Sequence, residues 1–161
     1  DSFAWPLHVS NSFSIKSFYG ALAGGVEEEF PWRVVWCSKV PRKVSFFAWT
    51  VVQGAILTIE NLQKRGFTMV NRCCLCRKEE TVDHSLLHCD VARGLWLMLL
   101  ALFGMSWVMP MSTKTFFVVG GDRVRKEMKS LWRVALLGLF WCIWCERNRR
   151  MFEDKELHPI S

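Results

Sequence analysis

The sequence lacks the closely spaced aspartates that are typical of a catalytic metal site. Its aspartates are widely separated, and none is adjacent to another: Asp1, Asp83, Asp90, Asp122 and Asp154. Enzymes that transfer phosphoryl or nucleotidyl groups with two metal ions hold those ions with converging carboxylates. We therefore predict that this chain is a non-catalytic domain with no small-molecule substrate.

A secretory signal is also lacking, because the N-terminus has no basic start followed by an apolar run. The seven cysteines are an odd number, which argues against a framework of disulfide bonds. We predict an intracellular protein, in the cytoplasm or nucleus and not secreted. In such a reducing compartment, clustered thiols indicate metal binding.

Long apolar runs are present, but they are short for a membrane span. Residues 95–111 and 134–145 carry no charge, whereas a spanning helix needs about 20 apolar residues. The first run also contains Gly104 and ends near Pro110. We predict buried core helices rather than membrane contact. The alternative, a membrane hairpin, predicts solubility that depends on detergent.

The composition is that of a folded domain with a positive charge. Hydrophobic residues make up 51% and aromatic residues 14%, with nine Trp and twelve Phe. The formal net charge is +6, which permits an acidic partner such as RNA or DNA without requiring one.

Helical periodicity dominates the chain. Four predicted buried faces follow it: Ile15, Phe18, Tyr19 and Leu22; Val44, Phe47, Ala48 and Val51; Leu87, Val91, Leu95, Met98 and Leu102; and Leu131, Ala135, Leu139 and Cys142. The last helix is predicted to begin after Gly121 and to run to about Phe152, with 147–150 at its solvent-exposed end. Residues 116–119 fit a strand or a helix equally well.

Helix ends are signalled as clearly. Thr58 can cap a short helix that ends at Gly66, and Asp83 can cap the helix that carries Leu87. Pro41 predicts a break before the helix that carries Val44.

The stretch "CCLCRKEETVDHSLLHC", residues 73–89, predicts a metal site. A two-residue spacer lets one turn direct Cys73 and Cys76 to the same point, and His84 and Cys89 complete a Cys3His set. Structural zinc takes four such ligands in a tetrahedron. The polar segment 77–83 indicates that the cluster is not inside a dry core. We predict Zn²⁺ as the cofactor.

The fourth ligand is open to an alternative. His84 and His88 are one helical turn apart, whereas His84 and Cys89 diverge by about 140° in a regular helix. A Cys2His2 set with His88 is thus possible, although the preference of zinc for thiolate favours Cys89 if His84 lies at or before the helix start. Cys142 and Cys145 share the same spacing as Cys73 and Cys76, but they lie within a helix and are predicted to be buried thiols.

These features predict a mainly α fold, a small helical domain with a zinc-knuckle-like Cys3His insert between its central helices. We expect a single domain over 1–161, with a core at about 13–103 and a C-terminal helical extension at about 122–153. Five basic residues flank the cluster and could contact phosphates: Lys64, Arg65, Arg72, Arg77 and Lys78.

The cluster resembles the zinc-binding domain of plant non-LTR (LINE-type) retrotransposon reverse transcriptases, the zf-RVT family. The matching motif residues are Cys73, Cys76, Glu80, Thr81, His84, Cys89 and Trp96. The segments "FSIKSFYGAL", "WRVVWCSKVPRKVSFFAWTVVQGAILTIENLQKRGF" and "WCIWCERNRRMFED" are similar to other parts of that family. The resemblance favours Cys89 over His88 as a ligand.

This resemblance implies a zinc-stabilised, nucleic-acid-associated module of a retrotransposon polyprotein, or a host-genome remnant of one. A polymerase domain would precede it, and the full-length parent would carry RNA-directed DNA polymerase activity. The alternative from another functional class is a structural or protein-interaction module, or a decayed fragment that does not bind nucleic acid.

Overall fold

The computed structural model describes residues 30–106, 108–121 and 124–153, and all regular structure within these ranges is helical. The elements are α1 (Trp32–Val35), α2 (Arg42–Val52), α3 (Ile59–Lys64), a π-helical turn (His84–His88), α4 (Asp90–Leu102), α5 (Thr113–Val119), a 3₁₀ turn (Lys126–Met128) and α6 (Lys129–Glu153). Every one of them lies within one compact unit, Pro31–Ser161. The mainly α fold is therefore confirmed.

Two sequence predictions have no counterpart in this description. The predicted helix that carries Ile15 and Leu22 lies outside the described residues. The predicted domain boundaries, with a core at 13–103 and an extension at 122–153, stay a prediction.

Helix α2 forms as the sequence predicts. Pro41 precedes it and cannot continue a helix from the N-terminal side, while its carbonyl accepts a hydrogen bond from the Val44 amide at 2.9 Å. Val44, Phe47 and Val51 are buried on one face.

Helix α3 also begins and ends at the predicted residues. The side chain of Thr58 accepts a hydrogen bond from the Asn61 amide, which satisfies one of the free N–H groups of the first turn. Glu60 and Lys64 form an ion pair one turn apart, in the orientation that the helix dipole favours. Gly66 has a φ of +90°, the left-handed conformation that ends helices and that glycine adopts without strain.

The predicted buried face of α4 is largely wrong, and its central residue, Leu95, is only half-buried. Leu87 is buried, but Val91, Met98 and Leu102 are exposed, and the buried residues are Ala92, Trp96 and Leu100. The prediction assumed one regular helix from Asp83. Instead the chain forms a π-helical turn, leaves helical geometry at Cys89, and starts a new helix at Asp90. This interruption changes the rotational phase of every later residue.

Asp83 has a different role from the predicted cap. It makes no capping hydrogen bond to the π-helical turn. Its carboxylate instead accepts hydrogen bonds from the Thr113 amide at 2.7 Å and the Thr113 hydroxyl at 2.9 Å. It therefore fastens the first turn of α5, the element that spans the ambiguous residues 116–119.

The predicted face of α6 is wrong as well. Leu131 and Cys142 are exposed, and Ala135 and Leu139 are only half-buried. Arg147, which was expected at the solvent-exposed end, is buried. The buried face consists of Trp132, Leu136, Leu137, Phe140, Ile143 and Arg147. Because α6 is apolar around most of its circumference, periodicity alone does not select a face, and the largest aromatic side chains decide it.

Those aromatic side chains form the core where α4, α5 and α6 meet. The ring of Trp96 lies 4.8 Å from that of Phe116 and 4.7 Å from that of Phe140, and Phe140 stacks on Phe117 at 4.9 Å. The indole N–H of Trp96 donates a hydrogen bond to the Leu86 carbonyl at 2.7 Å. Trp96 thus links this core directly to the π-helical turn that carries His84.

One helix in the described part of the chain, Lys126–Phe152, is long and apolar enough to cross a membrane by length and composition, and 28% of its most apolar window is buried. The charge-free run that begins at Leu95 does not form one long helix. Helix α4 ends at Leu102, and Gly104 follows with a φ of +65°.

Candidate metal centre

A tight turn presents Cys73 and Cys76. The Arg77 amide donates to the Cys73 carbonyl at 2.8 Å, and the Cys73 amide donates to the Lys78 carbonyl at 2.6 Å. Arg77 closes the turn with a φ of +65°, which is uncommon for a residue with a side chain. The backbone is therefore held in a compact loop, as the two-residue spacer between the cysteines predicts.

The π-helical turn presents the other two side chains. In a regular helix His84 and Cys89 would point about 140° apart. Here the wider turn is closed by a hydrogen bond from the Cys89 amide to the His84 carbonyl at 2.6 Å, and Cys89 itself is extended, with φ −57° and ψ 137°. The local backbone thus removes the geometric objection to pairing His84 with Cys89.

The four side chains converge on one point. The ligand atoms of Cys73, Cys76, His84 and Cys89 all lie within 4.8 Å of one another. The Cys73 and Cys89 sulfurs are 3.9 Å apart, and the Cys76 sulfur is 3.0 Å from His84 Nε2. A tetrahedral zinc with Zn–S bonds of about 2.3 Å holds its sulfurs about 3.8 Å apart. The donor set and the spacing both fit zinc.

His88, the alternative ligand, and Cys74, which lies next to Cys73, both direct their side chains away from the converging ligand atoms. His88 is exposed, and its Nε2 lies 3.0 Å from the Met111 carbonyl oxygen. The Cys74 thiol donates to the Arg147 carbonyl at 3.5 Å. Neither residue belongs to the group of converging ligand atoms.

The thiols differ in acidity. The hydrogen bond with Cys89 lowers the pKa of Cys73 to about 5, whereas the same contact raises the pKa of Cys89. Burial raises the pKa of Cys74 to about 11, so this thiol is neutral at physiological pH. The contact between the two sulfurs therefore favours the thiolate form of Cys73, the form that binds metal.

Glu80 organises the loop between the two pairs of converging side chains. Its buried carboxylate accepts hydrogen bonds from the Ile59 amide at 2.8 Å and the Ser85 hydroxyl at 3.2 Å. It also receives two from Arg147, at 2.8 Å from Nε and 2.7 Å from a terminal nitrogen. A buried carboxylate needs this full set of donors to offset its lost hydration. Glu80 thereby joins α3, the π-helical turn and α6.

Arg147 is the site-supporting residue that sequence reasoning missed. Its guanidinium lies 5.0 Å from the Trp144 ring and also donates to Asn148 at 3.0 Å. A signal was present, since Arg147 follows Phe140 and Ile143 at helical spacing and therefore shares their buried face. Only a buried acidic partner could make that position tolerable, and Glu80 is that partner.

The five predicted phosphate-contacting residues are not equivalent. Lys64 pairs with Glu60, and Lys78 pairs with Asp90, which raises the pKa of Lys78. Arg65, Arg72 and Arg77 are exposed.

The prediction for the second Cys-x2-Cys pair is wrong, since Cys142 and Cys145 are both exposed on α6. They lie on the side of the helix away from Trp132 and Phe140, where the shifted phase of the buried face leaves them in solvent.

Comparisons with known proteins agree with this geometry. The chain matches the family described as zinc-binding in reverse transcriptase (zf-RVT) over residues 13–96. It is 28% identical over 105 residues to an Arabidopsis thaliana protein named "Putative ribonuclease H protein", a match that covers 60% of this chain and 16% of that protein. No solved structure matches the chain. More than half of the 161 residues fit the family, and the fold sets a Cys3His cluster between helices, so the chain belongs to the zinc-binding domains of the reverse-transcriptase type.

Proposed function

We propose that Cys73, Cys76, His84 and Cys89 hold one zinc ion in a closed structural site. The observation that carries this proposal is the convergence of their four ligand atoms within 4.8 Å. Four protein ligands fill a tetrahedral site and leave no position for a substrate or an activated water. The ion would join the loop that begins at Cys73 to the start of α4 and so stabilise the fold.

The module is non-catalytic and serves a longer reverse transcriptase, where it assists binding of an RNA or DNA template. The chain spans 16% of its Arabidopsis relative, so most of a protein of that length lies outside the module. Within the described part of the chain, two aspartates have structural partners: Asp83 binds Thr113 and Asp90 pairs with Lys78. These partners support a binding role over a catalytic one. We further propose that the module acts inside the cell, in the cytoplasm or nucleus.

The exposed cations next to the cluster are suited to phosphate contact. Arg65, Arg72 and Arg77 are exposed, and Arg77 belongs to the turn that the ion would hold. Lys64 and Lys78 would have to exchange Glu60 and Asp90 for phosphate. Such contacts show little preference for particular bases, and their affinity falls steeply as the salt concentration rises.

Cobalt substitution tests the metal site. Thiolate-to-cobalt absorption bands are expected in the purified chain and are expected to weaken in Cys76→Ser and Cys89→Ser. The matched controls His88→Ala, Cys74→Ser and Cys142→Ser should retain them. Full bands in Cys89→Ser, with loss in His88→Ala, would move the fourth ligand to His88. No bound metal by elemental analysis would end the proposal.

A salt titration of nucleic-acid binding tests the functional role. The zinc-loaded chain should bind single-stranded RNA and duplex DNA of mixed sequence at low ionic strength, and Arg65→Ala/Arg72→Ala should reduce the salt dependence. No affinity for either at low salt would reject a role in template binding.

The second candidate function is that of a protein-interaction module, which would organise the C-terminal part of a polymerase by binding other protein segments. The observation that favours it is the exposure of large apolar side chains at the end of α4, at Leu102, and in the segment between α4 and α5, at Val108 and Met111. Exposed apolar groups of this size are typical of interfaces when they are contiguous. This candidate predicts zinc binding with no affinity for nucleic acid.

A further inference from the structure

A second basic surface lies away from the Cys3His group, on α1, α2 and the loop between them. The segment from Phe30 to Ile59 contains no aspartate or glutamate. Its cations are Arg33, Lys39, Arg42 and Lys43, and all of them are exposed. None of these four forms an ion pair with a carboxylate of the described ranges, in contrast to Lys64 and Lys78 beside the cluster. Within the described ranges, therefore, no carboxylate neutralises their charge.

Large aromatic rings are exposed on the same segment. Trp32 is 57% exposed, Trp36 49% and Phe46 58%. Tryptophan is on average strongly buried in folded proteins, so two half-exposed indoles on successive turns indicate a contact surface. We call Arg33, Lys39, Arg42, Lys43, Trp32, Trp36 and Phe46 the basic–aromatic surface.

The rings and cations of this surface alternate along the chain from Trp32 to Phe46, and those on α2 share one side of that helix. Arg42, Lys43 and Phe46 lie within about 100° of one another around α2, on the side opposite Val44 and Val51. The Phe46 ring is 5.5 Å from that of Trp49.

Two contacts with the Trp141 ring join α2 to α6. The Lys43 ammonium lies 5.6 Å from the centre of the Trp141 ring, within the range of a cation–π contact. The buried Phe47, one helical turn further along α2, packs edge-on against the same ring at 5.4 Å. The outer side of α2 is therefore held in place against the C-terminal helix.

We propose that the basic–aromatic surface binds single-stranded RNA or DNA. Trp32, Trp36 and Phe46 would stack on bases, while the four cations contact phosphates. This proposal rests on the template-binding role proposed above and names the form of nucleic acid and the place where it binds. A single strand is favoured over a duplex because only unpaired bases offer their faces to a protein ring. An acidic protein partner would use the cations but would have little use for the rings.

The test is fluorescence anisotropy with the zinc-loaded 161-residue chain. The probes are labelled oligo-dT and oligo-U of about 16 nucleotides, within the range that single-strand-binding folds cover, and a duplex of equal length. We expect the single strands to bind at least tenfold more tightly than the duplex. Trp32→Ala/Trp36→Ala/Phe46→Ala should weaken single-strand binding by about tenfold for each ring that stacks.

Charge variants add a second readout. Lys39→Ala/Arg42→Ala should lower the slope of log affinity against log salt by about 1.4, since each phosphate contact on a single strand contributes about 0.7. Arg125→Ala/Lys126→Ala is the matched control, because those two cations are exposed elsewhere. The control for the triple aromatic variant is Leu102→Ala/Val108→Ala, which removes exposed apolar side chains outside the basic–aromatic surface. Wild-type zinc content and helical circular dichroism in every variant establish that folding is intact.

The outcomes separate this inference from the proposed function. Wild-type affinity in the triple aromatic variant, with loss in Arg65→Ala/Arg72→Ala, overturns the inference and leaves template binding at the cluster. Equal affinity for duplex and single strand also overturns it. Polyglutamate, added as an unlabelled competitor, represents an acidic protein partner, and competition as effective as that of the single strand overturns the inference too. Absence of any binding by the wild-type chain at low salt rejects both.

Discussion

Arg147 and Glu80 form a buried, two-pronged ion pair across 67 residues of sequence. The Arg147 Nε and a terminal nitrogen donate to the two carboxylate oxygens at 2.8 and 2.7 Å, and both side chains are almost completely buried. The pair connects the loop of the metal cluster to a helix that lies beyond the family match at residue 96. The C-terminal helix is thus part of the support of the site.

Removing one partner of this pair should be strongly destabilising. Glu80→Gln leaves a buried guanidinium without its counter-charge, and we expect the free energy of unfolding to fall by about 3–5 kcal/mol. Chemical denaturation of the zinc-loaded chain measures it. Glu146→Gln is the control, since Glu146 pairs with Arg149 and Arg150 near the surface of the same helix and should cost about 1 kcal/mol or less. Equal losses in both variants would contradict the assignment of Glu80 as an organising residue.

Metal removal should loosen the cluster before the aromatic core. Chelation takes away the proposed tie between the Cys73 loop and the π-helical turn, while Trp96, Phe116 and Phe140 keep their contacts with one another. Hydrogen exchange by mass spectrometry should show faster exchange in residues 73–89 and little change in the middle of α6. An identical exchange pattern with and without chelator would show that no ion stabilises the loop.

The register of α4 predicts opposite outcomes for two leucines that lie two positions apart. Leu100 is 1% exposed and Leu102 is 82% exposed. Leu100→Ala should lower the free energy of unfolding by about 2–5 kcal/mol because it creates a cavity. Leu102→Ala should change it by less than about 0.5 kcal/mol. Thermal or chemical denaturation distinguishes them, and the reverse order would restore the face that periodicity predicts.

The seven cysteines should differ in their rate of alkylation. Cys142 and Cys145 are exposed on α6 and should react first with iodoacetamide, although burial raises the pKa of Cys145 and slows it. Cys73 and Cys89 are buried and should be protected in the zinc-loaded chain. Peptide mass spectrometry over time gives the order. Early labelling of Cys89 in the presence of zinc would argue against its role as a ligand.

Local signals in the sequence determined α2, α3 and the spacing of the candidate ligands. Pro41, the Thr58 cap and Gly66 act within one turn of chain, and a two-residue spacer between Cys73 and Cys76 needs only a tight turn. Such features depend on neighbours within about four residues, so the sequence alone suffices to predict them.

Tertiary structure decided the buried faces of α4 and α6, the π-helical turn at His84, and the burial of Arg147. Both helices are apolar around much of their surface, so the contacts among Trp96, Phe116 and Phe140, which come from three separate elements, select the face that is buried. Arg147 can be buried only because the carboxylate of Glu80, 67 residues away in the sequence, accepts its hydrogen bonds. Helical spacing places Arg147 on the same face as Phe140 and Ile143. Which face is buried, and which acidic residue meets Arg147 there, depend on the elements that the fold brings together.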